Sequence, residues 1–291
     1  MTPQLAAPFI GAVLAALSAR LLQRRLPPAP GTWLLAGLAA GATIAVLAAE
    51  LLASATYLAG IGWVSDRVGW CRTLAASQHA PSTVVGLAAL GAITIGSLRA
   101  LRVMCRYRRM TSTPSDSPLI VVQSAEAQAF AVPGKPGHVH VTTAMLNALD
   151  EDGRRVLFAH ESAHLDLSHH RFVHMGSIAA ALFPPLRPLA NQISFCTERW
   201  ADEVAAAKVG DRRTTARAIA AAAFATTSPP YALGLVDLGV AGRVEALLAT
   251  GGMSRSRCVI VGGTALLVLN FAGGVVQMHH LVMLIHHVCS A

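Results

Sequence analysis

Asp150–Leu167 reads DEDGRRVLFAHESAHLDL. Asp150 is an N-cap residue, Glu151 and Asp152 supply acids to a first turn, and Val156, Leu157, Ala159, His160, Ala163, His164 and Leu167 then recur at helical spacing. The stretch therefore predicts an amphipathic helix that begins after Asp150. Inside it lies His160-Glu161-Ser162-Ala163-His164, the pattern HExxH. Residues four apart share one helix face, so His160 and His164 can grip a single zinc ion. Glu161 projects beside them, where a carboxylate can deprotonate an attacking water. A solvated helix bearing two unrelated histidines would carry the same five letters. The apolar, capped setting argues against that alternative. Catalytic zinc takes three protein ligands and leaves one position open, so a third ligand is required downstream. Thr197-Glu198-Arg199-Trp200-Ala201-Asp202-Glu203 is the next acidic helical stretch. Glu198 can complete the set, and Asp202, four residues on, can accept the second ring N–H of a ligand histidine. The plain alternative for this pair is an acidic face beside Arg199 and Lys208.

Upstream of the helix the pattern changes from 3.6 to 2. Leu119 to Gln123, Gln128 to Val132 and His138 to Thr142 read as short strands, and Pro133-Gly134-Lys135-Pro136-Gly137 turns the last two into a hairpin. Thr111-Ser112-Thr113-Pro114-Ser115-Asp116-Ser117-Pro118 before them is a polar, proline-bearing boundary.

Beyond this insert the chain is too apolar for one soluble globule. Of its 291 residues 54% are apolar and 13% charged, about half the charged share of a soluble domain. Mean hydropathy is +0.52. Four runs read as membrane spans: residues 5–22, 33–57, 82–103 and about 258–285. Arginine follows the first run (Arg20, Arg24, Arg25), ends the third (Arg99, Arg102, Arg106, Arg108, Arg109) and precedes the fourth (Arg243, Arg255, Arg257). By the positive-inside rule both termini are then external and the insert is cytoplasmic. The expected organisation is residues 1–110 with three transmembrane helices, 111–257 as a cytoplasmic α+β zinc protease domain, and 258–291 with a fourth helix and a short external tail. The fold class is thus a mainly α, polytopic membrane protein. The net charge of +8 is read as anchoring to anionic lipid, because no basic stripe with interleaved aromatics marks a nucleic-acid surface. Glu50 falls inside the second span, where an acid either faces a bundle interior or reaches water at the interface.

His160-Glu161-x-x-His164 followed by Glu198-x-x-Ala201-Asp202 resembles the gluzincin-type integral-membrane metallopeptidases. That group includes the CAAX-protease and heat-shock-protease family (M48) and the beta-lactam sensor-transducer family (M56). Gln128-Ala129-Phe130-Ala131-Val132-Pro133-Gly134 resembles the strand preceding the zinc helix, and Arg243-Val244-x-x-Leu247 resembles the closing element. Three spans, a protease and a fourth span resemble the M56 branch, although only Val288 to Ala291 follow His287, so direct beta-lactam sensing is not expected. The resemblance implies an endopeptidase with one catalytic Zn2+ that cleaves a cytoplasmic protein, a transcriptional repressor or the chain itself, within a signalling cascade. One insert strand would offer its edge to an extended substrate. The sequence is also compatible with a constitutive quality-control protease, with a metal-sensing membrane protein without protease activity, and with homo-oligomers.

Three features lie outside that scheme. Ala179 to Ser194 is apolar but broken by Pro184, Pro185 and Pro188, so it reads as a membrane-surface hairpin or as a buried connection between zinc helices. His169, His170 and His174 follow the motif with no carboxylate partner and read as solvated or as supporting groups. Met278, His279, His280, Met283, His286, His287 and Cys289 form a C-terminal cluster that would suit a soft metal ion, or simply end a helix at the interface. Cys71 and Cys289 fall on the external side and are candidates for a disulfide.

Overall fold

The computed structural model describes residues 3–23, 26–63, 82–111, 117–226, 233–249 and scattered positions between 262 and 283. Two long helices, α1 (Pro3–Gln23) and α2 (Pro28–Ala59), open the chain. α2 starts five residues before the apolar run predicts, because Pro28 and Pro30 fall in its first turn, where a backbone N–H has no helical partner to lose. α3 (Thr83–Thr111) continues eight residues past the expected end of the third span, so its arginines extend the same helix beyond its apolar part. α2 and α3 are long and apolar enough to cross a bilayer, and α1 contributes a shorter apolar stretch, Ala6–Ala19. Ile10, Leu14, Leu17, Ile44, Leu51, Leu87, Ile95 and Leu98 are exposed along these three helices. Such an apolar belt requires lipid or protein against it. Glu50 does not join the exposed set; it is 4% exposed, inside the packed side of α2. The described positions between 262 and 283 are helical and exposed. Cys71, Cys289 and most of the C-terminal His/Met/Cys cluster lie outside the described residues.

The insert begins with β1 (Leu119–Val122), β2 (Ala129–Val132) and β3 (His138–Thr142), followed by the short α4 (Thr143–Ala148). β3 is central: β1 pairs with it in parallel and β2 antiparallel, giving the order β1-β3-β2. Its pattern fits that place, for Val139 and Val141 are buried, and Val141 packs with Met145, Leu149 and Leu157. α5 (Glu151–Asp166) starts as its first residues predict, with the Asp150 carboxylate accepting the Gly153 N–H at 2.7 Å.

α6 (His169–Leu182), a 3-10 turn (Pro184–Leu186) and α7 (Arg187–Val209) form a helical hairpin, and α8 (Arg212–Ala225) and α9 (Leu233–Leu248) follow. The apolar Ala179–Ser194 segment is therefore the turn of this hairpin. Its prolines fall in the 3-10 turn and the first turn of α7, and Leu186, Leu189 and Ile193 are completely buried. These three share one apolar core with Ala12, Ala15 and Ala19 of α1, Leu35, Leu38 and Val46 of α2, and Phe172 of α6. Helix approach there is close. A β-carbon at Gly96 of α3 would stand 2.8 Å from the Leu182 carbonyl oxygen of α6, so only glycine fits. Arg199 of α7 also donates to the Leu26 carbonyl, at 3.3 Å, between α1 and α2. The helix carrying Glu198 is thereby seated directly on the first two helices.

Candidate metal centre

α5 and α7 pack side by side through Val156 and Ala205, and this contact brings the two predicted motifs together. His160 Nε2 and His164 Nε2 stand 3.1 Å apart. The Glu198 carboxylate faces both, with Oε2 at 3.4 Å from His160 Nε2 and Oε1 at 3.4 Å from His164 Nε2. One donor atom from each of these residues lies within 4.8 Å of the others, a group able to hold a metal ion. Two imidazole nitrogens and one carboxylate are a donor set that suits zinc with an open position. The second nitrogens also have close polar neighbours. His160 Nδ1 is 3.0 Å from Asp202 Oδ1, and His164 Nδ1 is 3.1 Å from His169 Nδ1. These five side chains fit a zinc ion, which they would hold through the two Nε2 atoms and Glu198.

Arg243 closes the cluster from α9. Its guanidinium makes two hydrogen bonds to Asp202, at 2.7 and 2.6 Å, and its third nitrogen stands 3.0 Å from Glu198 Oε2. α9 is held in register by Arg212, which pairs with Glu203 of α7 and donates to the Leu247 carbonyl at 2.8 Å. Val244 and Leu247 pack meanwhile on Ala206 and Ile219.

Electrostatics follow from this arrangement. Burial pushes Glu198 up, but its hydrogen bond to His160 and the charge of Arg243 outweigh burial and hold it well below the usual carboxylate range. Asp202 is held low in the same way, against burial, by Arg243 and His160. Burial opposes a charge on His160, yet Asp202 and Glu198 raise its pKa to about 9, while burial lowers His164 to about 4. Zinc binding near pH 7 must then displace the His160 proton and none from His164. In a Glu161→Gln background, where no carboxyl proton at position 161 contributes, release of about one proton per zinc is expected. Calorimetry in buffers of different ionisation enthalpy measures it; a value near zero would contradict a charged His160.

Glu161 is 8% exposed and shares the buried side of α5. Burial raises its pKa, and the Ala131 backbone N–H of β2, turned toward the carboxylate, offsets part of that rise. That contact identifies the free sheet edge. Thr142 N donates to Gln128 O at 2.9 Å, and bonded pairs alternate along an antiparallel ladder. Gln128, Phe130 and Val132 therefore bond to β3, and the N–H and C=O groups of Ala129 and Ala131 point away from it. This places an unpaired edge beside Glu161.

The structure brings His160, Glu161, His164, Glu198 and Asp202 into one site. Arg243 was marked in the sequence by resemblance and as one of the arginines before the fourth run, with no partner assigned, whereas the structure pairs it with Asp202 and Glu198; His169 was marked only as solvated or supporting. His170 and His174 stand apart, stacked on Tyr107 at 6.1 and 3.9 Å.

The family model described as Peptidase family M48 matches residues 100–183. The match covers 84 of 291 residues, from the second half of α3 through the sheet and α5 to the end of α6, and includes HExxH. Glu198, Asp202 and Arg243 lie beyond it. No curated protein and no solved structure matches the chain.

Proposed function

We propose that the chain is a membrane-embedded zinc endopeptidase whose site is built from His160, Glu161, His164 and Glu198. The observation that carries this reading is the convergence of two imidazole Nε2 atoms and one carboxylate beside a buried glutamate at a free strand edge. The similarity of residues 100–183 to Peptidase family M48 supports it. A zinc ion held there would polarise the scissile carbonyl and acidify the attacking water. Glu161 takes the proton from that water and returns it to the leaving amine. Asp202, fixed by Arg243, orients the His160 ring. An extended segment of substrate adds to β2 as a further strand, hydrogen-bonded to Ala129 and to the Ala131 carbonyl, so the enzyme acts on chain that is locally unfolded.

We read four spans, external termini and a cytoplasmic site from the arginine distribution, and the exposed apolar belts of α1 to α3 support the first three spans. Order of elements favours the M56-like branch, in which the substrate is a cytoplasmic repressor or a second copy of the chain, cleaved as a step in signalling. Reconstitution tests the activity. Chelator-treated protein in detergent should hydrolyse an unfolded protein only after addition of about one zinc per chain. Stoichiometric zinc binding without cleavage would favour a metal-sensing protein.

A further inference from the structure

The two ligand histidines are oriented by different chemistry, and the second partner lies outside every motif in the chain. Ser168 separates α5 from α6 with its backbone in the left-handed region, φ 53° and ψ 41°. A serine there is uncommon, and strained backbone of this kind clusters at functional sites. The reversal falls two residues after α5 ends at Asp166 and starts α6 at once with His169. The His169 ring is 1% exposed. It meets His164 edge to face with centroids 4.9 Å apart and lies against Trp200 at 4.9 Å. Its Nδ1 stands 3.1 Å from His164 Nδ1, and its Nε2 has no hydrogen-bond partner among the described residues.

A neutral imidazole has one N–H donor and one acceptor nitrogen. His164 Nε2 faces His160 and Glu198, so a metal ligand at this place needs its lone pair on Nε2 and its proton on Nδ1. The atom that Nδ1 then meets is His169 Nδ1, which must act as the acceptor, and His169 must carry its own proton on Nε2. We propose that His169 is a positioning residue that fixes His164 as the Nδ1–H tautomer, with its Nε2 lone pair directed at the metal. It is the counterpart of Asp202 at His160. The neutral ring orients His164 without a second anion beside Glu198, and the tilted contact with Trp200 holds that ring in place.

This inference rests on the zinc reading of the site, and two substitutions separate its parts. His169→Phe keeps an aromatic ring against Trp200 and removes the acceptor. His169→Asn loses the ring and presents Oδ1 where Nδ1 stood. If acceptance is the function, the Phe variant binds zinc about 10–100-fold more weakly, and the Asn variant stays within about threefold of the parent chain. Competition against a chromophoric chelator in detergent gives the affinities, and circular dichroism checks the fold. Parental affinity in the Phe variant, or equal losses in both, would overturn the proposal. Should the Phe variant fail to fold, the zinc-loaded parent labelled with 15N-histidine decides the matter. The expected spectrum has His164 protonated at Nδ1 and His169 at Nε2 only, and a proton on His169 Nδ1 would overturn the assignment. A parent chain that binds no zinc removes the proposed function, and this inference with it, whereas zinc binding with an indifferent Phe variant removes the inference alone.

Discussion

Glu161→Gln is expected to keep its zinc and its fold while peptide-bond hydrolysis falls about 10²–10⁴-fold. The substitution preserves shape, and the amide oxygen can still accept the Ala131 N–H that Glu161 holds. What disappears is a base. No other described carboxylate in the site is free to replace it: Glu198 faces both zinc histidines and Arg243, and Asp202 is engaged by Arg243 and His160. Their depressed pKa values also make them weak bases, whereas burial raises Glu161 toward the working pH of a proton carrier. The loss should lie in kcat, because the side chain acts on protons moving in the transition state. Metal content and single-turnover cleavage of an unfolded substrate are the measurements. A zinc-replete Gln variant within about tenfold of the parent would show that proton transfer at Glu161 is not the source of the rate.

How much of this site was legible in the sequence depends on the range over which each residue acts. Asp150 caps α5 through a bond three residues long, and His160 with His164, or Glu198 with Asp202, share a face by helical spacing alone. Local rules find all of them, and the three strands fell within a residue of their predicted bounds for the same reason. Strand order is different. Nothing local says that β3 is central, yet that order leaves Ala129 and Ala131 without a strand partner among the described residues, beside Glu161. His169 lies five residues from His164, off the helical pattern, and returns to it only because Ser168 adopts a left-handed backbone that its side chain does not advertise. The prolines left two readings open, of which the buried connection is the one formed. Pro184, Pro185 and Pro188 read as interruptions of an apolar run, whereas at the start of a helix they cost no hydrogen bond, and the run folds as a hairpin between α6 and α7. Arg243 is the extreme case, 41 residues from Asp202 in the chain and in contact with it only through the docking of α9.

For that reason Arg243→Leu should have the largest effect on stability of any single change at the site. The guanidinium is a planar fork spanning the buried Asp202 carboxylate and the partly exposed Glu198 carboxylate, one helical turn apart. Its removal leaves Asp202, 1% exposed, and Glu198 as neighbouring anions with only His160 to share. Breaking a buried ion pair by deleting one partner costs about 3–5 kcal/mol, more than losing the exposed pairs on this fold, which are worth about 0–1 kcal/mol each. The sign of the pH dependence follows. Both carboxyls are depressed in the folded chain, so their contribution is present above the unfolded carboxylate pKa and is lost as pH falls through the folded values. Chemical denaturation of the zinc-free proteins should therefore show the parent and the Leu variant far apart at pH 7 and converging below pH about 4. Arg243→Lys keeps a charge but not the fork, and should recover only part of the difference. Zinc affinity should fall about 10–100-fold in the Leu variant as well, because an unanchored Asp202 no longer fixes His160. A gap between parent and variant that stays constant from neutral to acid pH would mean that Arg243 contributes through packing of α9 and not through the two carboxylates.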